Sequence, residues 1–176
     1  IPKVVKILGP GNSWVTAAKA VVAGDPAGAA LDMPAGPSEV MVVADGRADA
    51  RFVAMDLLSQ AEHGPVSHVV LVTPSADLLE RVEAEIDSAL ASLSRRAIIE
   101  QSLRHGVAVL VTSLAEAEGV ANEYAPEHLI VQVADPRTFV TGISTAGSVF
   151  LGRWTPESVG DYCSGTNHVL PTYGHA

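Results

Sequence analysis

Val40-Met41-Val42-Val43-Ala44 and His68-Val69-Val70-Leu71-Val72-Thr73, with the helical stretch Ala48 to His63 between them, set the fold class. Both runs are almost continuously apolar and rich in β-branched residues. That is the pattern of strands covered on both faces, not of strands with one wet side. Runs of the same kind recur outward in both directions, at Val4 to Leu8, Val107 to Thr112, His128 to Val133 and Ser148 to Leu151. Helical stretches lie between them. Asn12 to Val22 is one. From Ser75 onward, Leu78, Val82, Ile86 and Leu90 recur every fourth residue as one apolar stripe. Pro74-Ser75 with Asp77 reads as that helix's start. Ser113-Leu114-Ala115-Glu116 has the form of a capping box before another helix.

Strands alternating with helices predict parallel β-α-β units with right-handed crossovers. The expected class is α/β: a Rossmann-like, mostly parallel sheet with helices on both faces. The loop Asp32-Met33-Pro34-Ala35-Gly36-Pro37-Ser38 is the best candidate for a boundary or an ordered active-site loop. Residues 1–35 then read as a strand-turn-helix remnant of one Rossmann-like half, and residues 36–176 as a second half.

Composition narrows the function. Of 176 residues, 48% are hydrophobic, which suits a packed globular body. Eleven basic against 20 acidic side chains leave a net charge of −9. That argues against a general nucleic-acid binder and against docking on an anionic membrane. The single cysteine, Cys163, permits neither an intrachain disulfide nor a thiolate metal cluster, and fits a reducing, cytoplasmic setting. The opening Ile-Pro-Lys-Val-Val-Lys-Ile-Leu has no signal-peptide features. It lacks an initiator Met and begins strand-like, so a central piece of a longer protein is expected.

Four stretches carry candidate chemistry. Gly9-Pro10-Gly11-Asn12 follows a strand and opens a helix, a place where α/β folds bind phosphates. Trp14 occupies the third glycine position of the dinucleotide fingerprint, so a tight turn capped by Asn12 is the simpler local reading. Asp32 has the spacing of a ribose-binding acid but sits in a Pro/Gly loop and is discounted. Gln60 and His63 share a helix face and both can ligate a borderline metal; on spacing alone, a polar helix end with His63 near the C-terminal dipole and Gly64 as its cap is the simpler reading. In Tyr124-Ala125-Pro126-Glu127-His128-Leu129, a carboxylate stands next to an imidazole, a set suited to proton transfer near neutral pH. A regular strand would send the two to opposite faces, but Pro126 bends the chain so that both can reach one pocket. Lastly, residues 155–168 are dense in Gly, Asp, Ser, Thr, Asn and His, and Asp161 can supply a hard oxygen ligand. Cys163 reads by default as a small filler.

Together, Gly-Pro-Gly-Asn (9–12), Asp-Met-Pro-Ala-Gly-Pro-Ser-Glu-Val (32–40), Asp-Leu-Leu-Ser-Gln-Ala-Glu-His-Gly (56–64), Tyr-Ala-Pro-Glu-His-Leu (124–129) and Gly-Asp-Tyr-Cys-Ser-Gly-Thr-Asn-His-Val-Leu-Pro-Thr (160–172) resemble the histidinol dehydrogenases, over essentially the whole chain. The resemblance implies zinc-dependent, NAD-linked oxidation of L-histidinol to L-histidine through L-histidinal, the last steps of histidine biosynthesis. It implies Gln60, His63 and Asp161 as zinc ligands and Glu127 and His128 as the acid/base pair. Ser38, Gln60, His63, His128 and Asp161 would contact substrate, and Asn12 would contact NAD. It gives His168 no role. It implies a homodimer in which a C-terminal portion, absent here, delivers a further zinc-ligating His and a substrate-binding Glu across the interface. The chain alone is therefore expected to have little or no dehydrogenase activity. The alternative is an inactive α/β fragment or binding module that keeps the motifs. A zinc hydrolase is disfavoured, because Gln is an unusual hydrolytic ligand and Gly-Pro-Gly-Asn would go unexplained.

Overall fold

The computed structural model describes residues 2–9, 12–33, 36–167 and 169–176. The chain opens with a small unit in which β1 (Lys6–Ile7), α1 (Ser13–Gly24) and β2 (Ala30–Leu31) form a parallel strand-helix-strand pair. The body follows as β3 (Glu39–Ala44), α2 (Ala50–His63), β4 (His68–Thr73), α3 (Ala76–Leu90), α4 (Arg96–Leu103), β5 (Val107–Leu110), α5 (Leu114–Tyr124), β6 (His128–Gln132), α6 (Pro136–Phe139) and β7 (Ser148–Leu151). Its strands lie in the order β5-β4-β3-β6-β7, every pairing parallel.

β3 is the centre of the sheet, and all six of its residues are buried. Successive side chains of a strand point to opposite faces, so β3 feeds two cores. Val40 and Val42 join Val53, Leu57 and Leu58 of α2, Leu78 and Val82 of α3 and Ile99 of α4. Met41 and Val43 join Ala117 and Ala121 of α5 and Phe139 of α6 on the other side. Helices thus cover both faces, and each buried Val or Leu contributes about 1.5–3 kcal/mol of apolar burial.

The caps explain where helices start. Ser75 Oγ accepts the Leu78 amide at 3.2 Å, and Ser113 Oγ accepts the Glu116 amide at 3.2 Å. Glu116 does not close the capping box onto Ser113; its carboxylate accepts from the Thr112 N–H and hydroxyl, each at 2.7 Å.

Two local expectations change, and one helix was not read from the sequence. β1 has two residues, and Val5, expected inside it, is 89% exposed. β5 is not covered on both faces: it pairs only with β4, so Val107 and Leu110 lie exposed at the sheet edge. α4 had no cap signal in the sequence, and Arg95 at its N-cap makes no side-chain capping bond. Its place comes from Ile99, buried against the α2 side of the sheet.

The chain runs from β3 outward through β4 and β5, then returns to the other side of β3 for β6 and β7. Folds of this kind normally bind ligands at the carboxyl ends of the strands where the order reverses. Here Asp45 closes that place. Its carboxylate accepts from the Arg47 amide at 2.9 Å and from the Ala134 amide, beyond β6, at 2.7 Å. The crevice left between Asp45, Arg47, Gln132 and Arg153 measures about 40 Å³, on the scale of one water molecule and not of a nucleotide.

Candidate active site

The candidate residues gather at the opposite rim, around the amino ends of the strands. Ser38 immediately precedes β3, Glu127 immediately precedes β6, and His128 is the first residue of β6. α2 runs back along the sheet, which brings Gln60 and His63 in its last turn to the same rim. After β7 the chain returns through a short 3-10 turn, Glu157–Asp161. Ser59 donates to Glu157 at 3.3 Å and ties that turn to the end of α2.

Glu127 and His128 are brought together by a chain bend. α5 ends at Ala125, which takes a left-handed φ of 51° while its N–H closes the helix onto the Ala121 carbonyl. Pro126 follows. Parallel register sets Val40 beside His128, so the peptide of Glu39 lies against the pair. The Glu39 N–H donates to Glu127 Oε2 at 2.9 Å, and His128 Nδ1 lies 3.0 Å from the Glu39 carbonyl oxygen. A carbonyl only accepts, so Nδ1 carries the proton and Nε2 presents the lone pair. The Glu127 carboxylate sits 3.6 Å from the same Nδ1.

Glu127 is buried, and burial pushes its pKa up to about 7. The Glu39 amide pulls against that shift, while the negative charges of Glu39, Glu157 and Asp161 add to it. This carboxyl therefore exchanges a proton near neutral pH. Asp56, on α2 below the rim, is pushed up to about 6, again by burial first. It accepts the Gln132 side-chain amide at 2.7 Å, a bond that opposes the shift.

Of the metal candidates, Gln60 is buried, and His63 and Asp161 are exposed. They offer an amide oxygen, an imidazole nitrogen and a carboxylate oxygen, a donor set that suits a borderline divalent ion. Among the described residues no three His, Cys, Asp or Glu side chains gather as a metal group, and this set contains only two of those types. Gly64 caps α2 in an extended conformation (φ −172°), not in the left-handed one common at helix ends.

At the first unit, Asn12 is the helix cap. Its Oδ1 accepts the Trp14 and Val15 amides, both at 3.1 Å. Gly9, with φ of +123°, gives its amide to Asp32 at 2.9 Å. Asp32 also pairs with Lys19 at 3.1 Å, and Lys19 donates to the Gly9 carbonyl. These bonds hold the Asp32 carboxyl far below the usual carboxylate range. Asp32 is thus a brace for the turn and not a free ribose-binding acid. The Trp14 and Val15 amides are thus taken by Asn12 Oδ1, and the Gly9 amide by Asp32. Pro10 and Gly11 of this turn, Pro34 and Ala35 of the boundary loop, and His168 lie outside the described residues. Cys163 is exposed.

Sequence reasoning passed over Glu39, Glu157, Thr172 and Tyr173. Glu39 stood beside Ser38, and Glu157 within the polar run 155–168, but neither had a spacing to single it out.

A family model described as histidinol dehydrogenase matches residues 1–176. The histidinol dehydrogenase of Vibrio cholerae serotype O1 is 58% identical over 175 residues, covering 99% of this chain and 41% of that protein. That of Shigella flexneri is 55% identical, covering 99% of this chain and 40% of that protein. Among solved structures, the histidinol dehydrogenase from Elizabethkingia anophelis superposes with a TM-score of 0.93 at 47% identity, covering 99% of this chain and 40% of that one. A propionaldehyde dehydrogenase from Clostridium phytofermentans shares the fold alone, with a TM-score of 0.51 at 15% identity over 96% of this chain and 51% of that one. The chain spans about two fifths of the length of the curated relatives it matches.

Proposed function

This chain belongs to the histidinol dehydrogenase family, and from that membership we propose that the full-length protein oxidises L-histidinol to L-histidine through L-histidinal, with two NAD molecules reduced. The observation that carries the reading is the Glu127–His128 pair, held on one rim by the two ends of the Glu39 peptide.

His128 Nε2 takes the hydroxyl proton of the alcohol as the carbon-bound hydride leaves. Once that proton has passed to solvent, the neutral imidazole takes a second one when the hydrated aldehyde is oxidised. Glu127, poised near pH 7, removes a proton from the water that adds to the aldehyde. NAD, when bound, accepts the hydride of each oxidation, and Asn12 at the mouth of α1 is its contact in this chain. Gln60, His63 and Asp161 would hold zinc, which would supply a Lewis acid for binding and orienting the substrate. Ser38, beside Glu39, completes the substrate contacts. Residues 1–35 belong on this reading to a neighbouring Rossmann-like half, and residues 36–176 form the half with the zinc and acid/base residues. The protein acts as a cytoplasmic homodimer, with the remaining zinc ligand and a substrate-binding Glu supplied by chain beyond these residues. No helix among the described residues is long and apolar enough to cross a membrane.

The test is NADH formation at 340 nm by the full-length protein with L-histidinol and zinc, beside this 176-residue chain assayed alone. Two NADH per histidinol from the full-length protein, little from the 176-residue chain, and loss of turnover with zinc retained in His128→Ala are expected. A zinc-loaded full-length protein that forms no NADH, or a His128→Ala protein that has lost its metal, overturns the assignment.

A further inference from the structure

Glu39 is a third carboxylate at the rim, and the acid/base chemistry above gives its side chain no task. It is 7% exposed. Its peptide is used twice, by Glu127 at the N–H and by His128 at the carbonyl. Its side chain reaches across 134 residues of sequence, where Oε1 accepts the Tyr173 amide at 3.1 Å. The other oxygen, Oε2, is buried without a hydrogen-bond partner among the described residues. Keeping an incompletely satisfied carboxylate buried next to Glu127 costs stability, so the fold must gain something by it.

Residues 172 and 173 grip the same arm at two more points. Thr172, 1% exposed, accepts the Gly36 amide through Oγ1 at 2.6 Å. The Tyr173 ring packs where a Cβ on Gly36 would lie, 1.9 Å from its Cε2. Tyr173 makes these contacts from a left-handed backbone (φ 56°), a conformation that costs a non-glycine residue about 1–2 kcal/mol. The segment that begins with Asp161 is thereby fastened, at its far end, to the strand that orients Glu127 and His128.

We propose that Glu39 is a positioning residue for this site: its side chain, held by the Tyr173 amide while Thr172 holds Gly36 on the same arm, fixes the peptide that aims Glu127 and sets the tautomer of His128. The proposal deepens the dehydrogenase reading and rests on it. It assigns Glu39 no contact with the reacting atoms. A loosened Glu39 lets its peptide rock, and Glu127 and His128 lose their shared alignment.

The test uses the full-length protein with Glu39→Ala, Glu39→Gln and Thr172→Val. Glu39→Ala should lower kcat for histidinol about 10-fold or more, the scale of one lost charge-assisted hydrogen bond, with KM for NAD within about twofold of the wild type. Glu39→Gln keeps an oxygen for the Tyr173 amide and should recover kcat to within about threefold. Hydrogen exchange at the Tyr173 amide should quicken about 10-fold or more in Glu39→Ala and stay near wild type in Glu39→Gln. If Glu39→Ala does not fold, Thr172→Val opens the clamp from its other jaw and should show the same loss of kcat at unchanged KM for NAD. Unchanged kcat in Glu39→Ala or Thr172→Val, or equal loss in Glu39→Ala and Glu39→Gln, overturns the proposal. A wild-type protein inactive towards histidinol overturns the dehydrogenase reading instead, and the exchange measurement still decides whether Glu39 holds the segment.

Discussion

Replacing Asp56 with Asn should make the chain more stable at pH 8 and leave it almost unchanged at pH 4. Asp56 is 9% exposed on α2 and faces Gln132, which is 4% exposed at the end of β6. Burial raises its pKa from 3.8 to about 6. A carboxyl with a folded pKa above its unfolded value binds its proton more tightly in the folded state. Below about pH 4 it is protonated in both states and carries no penalty. As pH climbs from about 4 to about 6 the unfolded chain releases the proton first, and stability falls. Above pH 6 the whole cost of a buried carboxylate is present. A shift of about two units corresponds to about 3 kcal/mol. The Asp56→Asn side chain removes that charge and still offers an oxygen to Gln132 Nε2, now held at 2.7 Å. Its amide N–H₂ can also reach Gln132 Oε1, which is buried and unpartnered among the described residues. Urea unfolding of wild type and Asp56→Asn at pH 4 and pH 8, followed by circular dichroism, reads the difference. A gain of about 2–3 kcal/mol at pH 8 that vanishes at pH 4 is expected. A variant less stable than wild type at pH 8, or an effect equal at both pH values, refutes the reasoning.

Two further outcomes follow from the rim. Gly147→Ala should destabilise the fold by about 1–3 kcal/mol and slow turnover, because the added Cβ would lie 2.6 Å from the Glu127 carbonyl oxygen, which accepts the Ser148 amide; thermal melting and steady-state kinetics read both. Glu127→Gln should slow histidinal oxidation by about 10²–10⁴-fold while sparing histidinol oxidation more. On the mechanism proposed above, the histidinal step of the full-length wild type should fall away as pH drops through about 7, because Glu127 is the proposed base and its pKa is raised to about 7, and a flat profile between pH 6 and 8 would count against it.

The amino-acid order alone determined the architecture and the list of suspects. Continuous apolar runs such as Val40 to Ala44 are best satisfied inside a sheet covered on both sides, and the alternation with helices left parallel pairing as the natural arrangement. Capping side chains at Asn12, Ser75 and Ser113 are local chemistry, and each caps its helix, although at Ser113 the reciprocal Glu116 bond goes to Thr112 instead. What the order of residues could not decide depends on contacts between distant segments. β5 carries the same apolar signature as β3, yet lies exposed at the edge, because its place in the sheet follows from topology and not from composition. Asp32 has the spacing of a ribose-binding acid, and only its bonds to Gly9 and Lys19 show the carboxylate already engaged. Glu39 gave no periodic or motif signal, since its partners stand 88, 89 and 134 residues away. The choice of rim is of the same kind. Strand sequences do not say which end of a sheet is open. Here Asp45 bridges the carboxyl ends with its own carboxylate, and the returning α2 and the turn Glu157–Asp161 bring the candidate chemistry to the amino ends.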